Sequence, residues 1–429
     1  MKTLASNITD IREEIKIIIK QKIPTYIFHH NDADGICSSE VLKNALEINN
    51  VNVETFHFER EFKNEIEKVF DKISKSRKSK KRIIVTDLGS GIEDYLDEQC
   101  KNNNCIGFQI DHHDTKSTAN DVRENFHCLN SEYYNIQKKD KRINASLLTY
   151  YVLREIPSLR IIKGNMAHIA LVGGLGDDID ILNPAKIGKK INILEDCEAI
   201  QTNDGFSFKF HGDNISTKTV LEHINLLSCI GYEKEDIILA REILEKGYTE
   251  KNREYLEKLY QYKKNAFEKL KKHIKEGNSI HNGNSLFMFD TYIDDLNCFE
   301  ETSENKIHTF GPKTIGLFCD EIVNELPYFS QISKDSMIVG IQPYKRPKQK
   351  TQEYKIDKIS FRASQNIKAK IDEGTFPSLK TTKKHFEEIF PDEVIGYGMH
   401  STVGAMYIQS SSRDRIIEEL IKFYKAIKP

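Results

Sequence analysis

Gln109-Ile110-Asp111-His112-His113-Asp114 closes an apolar run, Cys105-Ile106-Gly107-Phe108, and its reading decides the fold. The run predicts a short buried strand. The acid and the two imidazoles then fall just past the strand's C-terminal end, where open α/β sheets build their sites. Carboxylate and imidazole side by side are hard and borderline metal ligands. A structural Asp–His hydrogen bond explains the set equally well when it is taken alone. Three further acidic clusters, each expected at a similar strand end, turn the balance toward a site.

Upstream, Pro24 breaks an opening helix and Thr25-Tyr26-Ile27-Phe28 reads as a strand. It runs into His29-His30-Asn31-Asp32-Ala33-Asp34-Gly35, and a helix with apolar Ile36, Val41, Leu42 and Ala45 follows. Strand, acidic turn and helix are the first half of a βαβ unit. Asp32 and Asp34 can each reach a different metal ion, with His30 as an extra ligand. Capping of the helix by Asp34 is the alternative; it accounts for one aspartate and leaves the His-x-Asp-x-Asp set unexplained. Val51 to Phe56 predicts a second strand and Glu61 to Ile73 a charged helix. The basic run from Ser74 to Arg82 reads as a solvated loop, with phosphate contact as the secondary reading. Ile83-Ile84-Val85-Thr86 is a buried strand ending in Asp87-Leu88-Gly89-Ser90-Gly91, where the glycines leave room for a metal or phosphate. A turn-forming aspartate is the alternative there.

Downstream, a helix is predicted from Ile143, with Asn144 as its N-cap. The apolar segment Met166 to Leu175 leads to Gly176-Asp177-Asp178, the fourth carboxylate position. The preceding glycine favours Asp177, although the pattern alone does not say which of the two aspartates points inward. One carboxylate-rich pocket with a few histidines suits two Mn²⁺ or Mg²⁺ ions better than a thiolate zinc site.

Composition bounds what the chain can be. Its 429 residues exceed the size at which a single core stops growing, so two domains or more are expected. A net charge of −2 leaves any nucleic-acid contact to local basic patches. The stretch Ile8 to Ile19 is interrupted by five charges (Asp10, Arg12, Glu13, Glu14, Lys16), which marks an amphipathic helix and not a signal peptide. The eight cysteines contain no Cys-x-x-Cys pair, which points to free thiols in a reducing cytoplasm.

The four clusters together resemble the DHH phosphoesterase superfamily, most closely its archaeal RecJ-like exonuclease branch. The matching pieces are His30 to Gly35, Val85-Thr86-Asp87, Asp111-His112-His113 and Gly176-Asp177. Near the C-terminus, Ile359-Ser360-Phe361-Arg362 and Gly398-Met399-His400-Ser401 through Ala405 look like the family's DHH-associated domain. The resemblance implies that Asp87 bridges two metals. It also implies that His30 and Asp32 complete one site, and that Asp34, His112 and Asp177 complete the other. His113 is implied to face the scissile phosphate, with Asp111 orienting the histidine pair. Ser360, Arg362, Gly398 and His400 are implied to bind substrate. The chain departs from the family at Phe28, where many members carry a histidine that His30 replaces here. It departs again at Met399, which stands for a glycine in the phosphate-binding loop.

Past Asp180, Asn183-Pro184 and the polar stretch Asp196 to Ser216 suggest a connector, followed by helical patterns and a long charged helix over Thr249 to Glu276. Strands are predicted at Ser285–Phe289, Met337–Ile341 and Lys355–Phe361, and helices at Thr314–Asn324 and Arg413–Ile427. Between two of these strands, Tyr344 to Lys350 is a basic loop that could touch phosphates. The expected architecture is α/β. It comprises a parallel-sheet DHH domain over 1–190, a helical connector over 191–276 and a smaller α/β substrate-binding domain over 277–429. The expected activity is a two-metal, single-strand-specific exonuclease acting on DNA or RNA, its C-terminal domain holding the strand. Replication or repair proteins are the expected partners, with no membrane. The rivals are a hydrolase of short oligonucleotides or nucleoside phosphates and a silent scaffold in a replication complex.

Overall fold

Residues 3–76, 80–134, 143–177, 179, 181–182, 192–202, 205–231, 234–291, 298–300, 307–309, 311, 313–344 and 356–427 are described by the computed structural model. Contacts divide the chain into two compact units, Met1–Asn225 with Lys234–Asn252 and Leu226–Glu233 with Arg253–Pro429. No described helix is long and apolar enough to cross a membrane.

In the first unit, α1 (Leu4–Gln21) buries Ile8, Ile11, Ile15 and Ile18, the stripe its helical spacing dictates. Five strands follow: β1 (Thr25–His30), β2 (Val53–Phe58), β3 (Arg82–Thr86), β4 (Ile106–Asp111) and β5 (Phe126–Asn130). They lie in the order β2-β1-β3-β4-β5, and every neighbouring pair is parallel. Parallel pairing needs crossovers, which α2 (Ala33–Glu47), α3 (Lys63–Ser74) and α4 (Glu93–Asn102) supply. One sheet face buries Phe28, Val85 and Phe126 against Phe70 and Ile66 of α3 and Leu96 of α4. Beyond the sheet, α2 packs with α5 (Ala145–Leu153) and α6 (Lys163–Gly176). This strand order reverses direction between β1 and β3, and ligands bind beyond the C-terminal ends of strands at such a switch point.

Three expectations need correcting. Both β1 and β4 outrun their apolar runs, so His30 and Asp111 are the last strand residues and not the first loop residues. Continued pairing explains this, since His30 aligns with Phe58 and Asp111 with Asn130. Residues 163–176 are helical, so Asp177 caps a helix C-terminus and does not end a strand. An apolar run buried on all sides carries no period to tell the two apart. The stretch read as a connector holds α7 (Ile193–Asp196) and an antiparallel sheet of β6 (Ile200–Thr202), β7 (Gly205–Phe210) and β8 (Asp213–Ser216). Phe206, Phe208 and Phe210 alternate along β7 and are buried, the period of two that a half-buried strand requires. Helices α8 (Thr217–Asn225) and α9 (Lys234–Lys246) come after it.

The second unit contains most of α10 (Glu250–Lys275). Its six-stranded sheet has the order β15-β16-β14-β13-β10-β9. The strands are β9 (His281–Asn282), β10 (Leu286–Asp290), β13 (Met337–Pro343), β14 (Ile356–Ala363), β15 (Val394–Met399) and β16 (Val403–Gln409). A separate pair joins β11 (Cys298–Glu300) to β12 (Ile307–Thr309). Residues of β14 alternate between the faces. Ile359, Phe361 and Ala363 join the core with α12 (Gln365–Asp372), α13 (Leu379–Ile389) and α14 (Arg413–Lys425). Ser360 and Arg362 face α11 (Thr314–Asn324). Of the basic loop over Tyr344 to Lys350, only Tyr344 lies within the described residues.

Gly35, in the first turn of α2, is set by contact. A Cβ there would stand 2.2 Å from the backbone oxygen of His30. Gly35→Ala is expected to destabilise the fold by about 1–3 kcal/mol, the usual cost of overpacking. Gly396→Ala, whose Cβ meets nothing within 4 Å, is expected to stay within about 0.5 kcal/mol of the parent. Urea midpoints of the two variants check this, and equal midpoints would refute the crowding at Gly35.

Candidate metal centre

The first acidic cluster sits where β1 hands over to α2. Asp32 is the N-cap of α2, its Oδ1 accepting from Gly35 N at 2.9 Å. The capping role weighed as the alternative for Asp34 thus falls to Asp32. Its other oxygen, Oδ2, lies 2.6 Å from Nδ1 of His30. The opposite ring atom of His30, Nε2, donates to the carbonyl of Glu59 at 3.1 Å. A carbonyl can only accept, so the neutral ring carries its proton on Nε2. The Nδ1 lone pair then faces Asp32 Oδ2 and, at 3.4 Å, Asp87 Oδ2. Acceptor against acceptor calls for a proton or a cation between them.

Asp34 is buried and turned toward α5. Its Oδ2 accepts from Ala145 N at 2.9 Å and its Oδ1 from Ser146 N at 2.7 Å. Those are free amides at a helix N-terminus, a ready seat for an anion. Burial, with Asp177 adding repulsion, still holds the Asp34 carboxyl well above the usual carboxylate range.

Asp87 follows β3 with a φ of +56°, a left-handed conformation that aspartate tolerates better than most residues. Its Oδ1 is 3.1 Å from Nε2 of His112, while its Oδ2 faces His30. Burial, and the carboxylates of Asp32, Asp34 and Asp177, push its pKa well up. His112 Nε2 also lies 3.3 Å from Asp177 Oδ2 and 3.6 Å from Asp34 Oδ2. Burial and the neighbouring His113 keep the His112 ring below its ordinary pKa.

Asp111 has a different task. Its Oδ1 accepts from His112 N (2.7 Å), His113 N (3.3 Å) and His113 Nδ1 (2.8 Å). Its Oδ2 accepts from Ser90 Oγ (2.5 Å) and Gln109 Nε2 (2.9 Å). Five donors use up about four lone-pair positions, so Asp111 is engaged in holding its neighbours, although it also lies with Asp87, His112 and His113 in a group whose atoms could hold a cation. Burial opposes its charge, yet His113 and these hydrogen bonds hold its carboxyl below the usual range. For His113, burial favours the neutral ring, but the Asp111 carboxylate prevails and lifts the pKa to about 9.

Besides the group that includes Asp111, two ligand groups stand among the described residues: His30, Asp32 and Asp87; and Asp34, His112 and Asp177. In each, the candidate atoms lie within 4.8 Å of one another. Oxygen-rich donors with one imidazole per group, raised carboxyl pKa values and a ring lone pair aimed at carboxylates fit hard divalent cations. Asp178 lies outside the described residues.

The remaining candidates lie in the second unit. Ser360 is buried in β14, and Arg362 beside it is tied by its Nε to Asp320 Oδ1 at 2.6 Å. Gly398 pairs with Ala405, and exposed His400 closes the β15–β16 turn through its N–H to Val403 O. Met399 is buried in the core. Reading residues one at a time missed the supports: Ser90, Gln109, Asn130 and the Glu59 carbonyl. Gln109 did carry a signal, as a buried amide beside an apolar run. Asn130, which donates to Ser90 Oγ at 2.8 Å and to His113 O at 2.9 Å, carried none.

Residues 24–174 match the N-terminal domain model of the DHH family. No curated protein sequence matches the chain. Among solved structures, a DHH-domain protein described as a member of the s1p family of ribosomal proteins aligns with a TM-score of 0.64 at 15% identity, over 99% of this chain and 92% of that one. An exonuclease RecJ bound to manganese aligns at 0.56 and 13%, over 100% and 96%. CDC45 from Entamoeba histolytica aligns at 0.57 and 10%, over 98% and 99%. At these identities the likeness is one of fold.

Asp34 and Asp87 bind protons more tightly than ordinary carboxyls, so loading a divalent cation is expected to expel protons. The sign follows from linkage. A folded pKa above the unfolded value of about 4 lends stability at low pH, lost as pH rises through the folded value. The rise in unfolding temperature that Mn²⁺ gives over chelator-treated protein should therefore grow from about pH 5 to about pH 8. A pH-independent rise would mean the two acids are already ionised without metal.

Proposed function

Through residues 24–174 the chain belongs to the DHH family, and from that premise we propose a metal-dependent phosphodiesterase that releases nucleotides from the ends of single-stranded DNA or RNA. The observation that carries this reading is Asp87, whose two oxygens face imidazoles of different ligand groups, so one side chain can serve two cations. His30, Asp32 and Asp87 would hold one Mn²⁺ or Mg²⁺, and Asp34, His112 and Asp177 the other. Such a pair supplies an activated water and neutralises charge on a phosphoryl group. The chain's own groups supply the rest. His113, kept protonated by Asp111 through its Nδ1, would present its other ring N–H to a phosphate oxygen. Ser90 and Gln109 hold Asp111 in turn. In the second unit, Ser360, Arg362, Gly398 and His400 would grip phosphates away from the scissile bond. The likeness in fold to a manganese-bound exonuclease supports the nuclease reading. The likeness to CDC45 supports a second one, a replication scaffold that binds partners without cutting. The complete ligand set favours the enzyme.

The test is digestion of end-labelled DNA and RNA strands, from dinucleotide to about twenty nucleotides, with metal titrated in. Stepwise shortening should require Mn²⁺ or Mg²⁺ and stop with a chelator. Asp87→Asn keeps the left-handed backbone and should abolish turnover, as should His112→Ala. Arg362→Ala and His400→Ala should lower kcat/KM on long strands by the equivalent of about 1.5–3 kcal/mol each while sparing the dinucleotide. Cutting confined to dinucleotides would instead indicate a short-oligonucleotide hydrolase. Metal binding with no cutting at any length would indicate the scaffold.

A further inference from the structure

Two oxygens flank Nε2 of His112 in the second ligand group, Asp34 Oδ2 at 3.6 Å and Asp177 Oδ2 at 3.3 Å. The N-cap and the first residue of α5 hold both of them. Ala145 donates its backbone N–H to Asp34 Oδ2 at 2.9 Å, and buried Asn144 donates from Nδ2 to Asp177 Oδ2 at 3.3 Å. The same Nδ2 donates to the carbonyl of Gly173, in the last turn of α6, at 2.9 Å. Its Oδ1 accepts from Leu147 N and Ser146 Oγ, both at 3.3 Å. The amide cannot flip without setting oxygen against oxygen on both the Asp177 and Gly173 sides.

The two carboxylates sit at opposite helix ends. Asp34 lies at the N-terminus of α5, where backbone amides welcome an anion. Asp177 is the C-cap of α6, where the negative end of the helix dipole repels one. At that end Asp177 needs a donor to hold it toward His112, and Asn144 supplies one while fixing the helix end itself.

We infer that Asn144 is a positioning residue, whose side-chain amide sets Asp177 against Asp34 and His112 so that the three converge on one cation. The inference rests on the metal-binding reading above. It goes beyond the N-cap role, which any short oxygen-bearing side chain could fill.

That difference is the test. Mn²⁺ affinity of the full-length protein is measured by calorimetry for wild type, Asn144→Ser, Asn144→Ala, Asp177→Ala and the Asn144→Ser/Asp177→Ala double variant. Unfolding of the chelator-treated proteins is followed alongside. Serine keeps a capping oxygen and alanine does not, so the metal-free midpoint should fall further for Asn144→Ala. Affinity should drop about 10–100-fold for both alike, as loss of a ligand's supporting hydrogen bond does. In the Asp177→Ala background, Asn144→Ser should cost nothing more. Wild-type affinity in Asn144→Ser would reduce Asn144 to a cap, and independent, additive losses in the double variant would also overturn the inference. Should Asn144→Ala fail to fold, the serine variant in the two backgrounds still decides. A wild type that binds no Mn²⁺ would sink the metal reading and this inference together. The expected affinity pattern without strand cleavage would sink the nuclease alone.

Discussion

Carboxylate repulsion is the constraint on which the rest of the first unit depends. Asp32, Asp34, Asp87 and Asp177 converge on two imidazoles, and Asp34 and Asp87 are shut away from solvent. Two unit charges 4 Å apart repel by about 4 kcal/mol even at an effective dielectric of 20. A few such pairs rival the whole stability of a domain, about 5–15 kcal/mol. The fold answers piecemeal: Gly35 N takes one oxygen of Asp32, the α5 amides take Asp34, and Asn144 takes Asp177. Asp87, at the centre, faces the two imidazoles and the carboxylates of Asp32, Asp34 and Asp177. Divalent charge at that point would relieve every member of the set at once.

Asp111 lies a few ångströms away and experiences the reverse field. Five donors and an adjacent imidazole make its anion comfortable where Asp34 and Asp87 are strained. The division separates an acid that keeps its charge whatever the solvent does from acids whose charge depends on a ligand. It also gives the two histidines of the motif opposite characters, His112 tending to neutral and His113 to cationic. Neighbouring rings 4.5 Å apart at their centroids could not both be charged cheaply.

The sheet and the site differ in how far the sequence reveals them. The apolar runs at residues 25–28, 83–86 and 105–108 each became a central strand, because strands covered on both faces cannot alternate. β5 was illegible, since Phe126-His127-Cys128-Leu129-Asn130 is short and half polar and owes its conformation to pairing with β4. The chemical types of the site were legible as clusters, and the fold gathers all four of them. Their roles were harder to read. Which aspartate caps α2 depends on a single hydrogen bond, and the orienting part of Asp111 shows only on counting donors that come from four different positions. The helical state of residues 163–176 also escaped, because its apolar middle, Met166 to Gly174, is buried except at His168 and shows too little wet side to mark its period.

The way α2, α5 and α6 touch has a further consequence. A Cβ on Gly173 would stand 2.4 Å from Ser146 Oγ and 2.8 Å from Cys37 Cβ, and one on Gly176 would stand 2.8 Å from Ala33 Cβ. The three helices therefore meet almost backbone to backbone, within a turn of the residues that carry or seat Asp34 and Asp177. Glycine and alanine have no rotamers to lose. Long side chains at this junction would have to be frozen each time a ligand settled, at about 0.5–1.5 kcal/mol apiece. With glycine or alanine at these contacts and only the short, buried Ser146 and Cys37 opposite, the junction has already met most of its ordering entropy in the folding of the chain, and capture of a ligand need not meet it again.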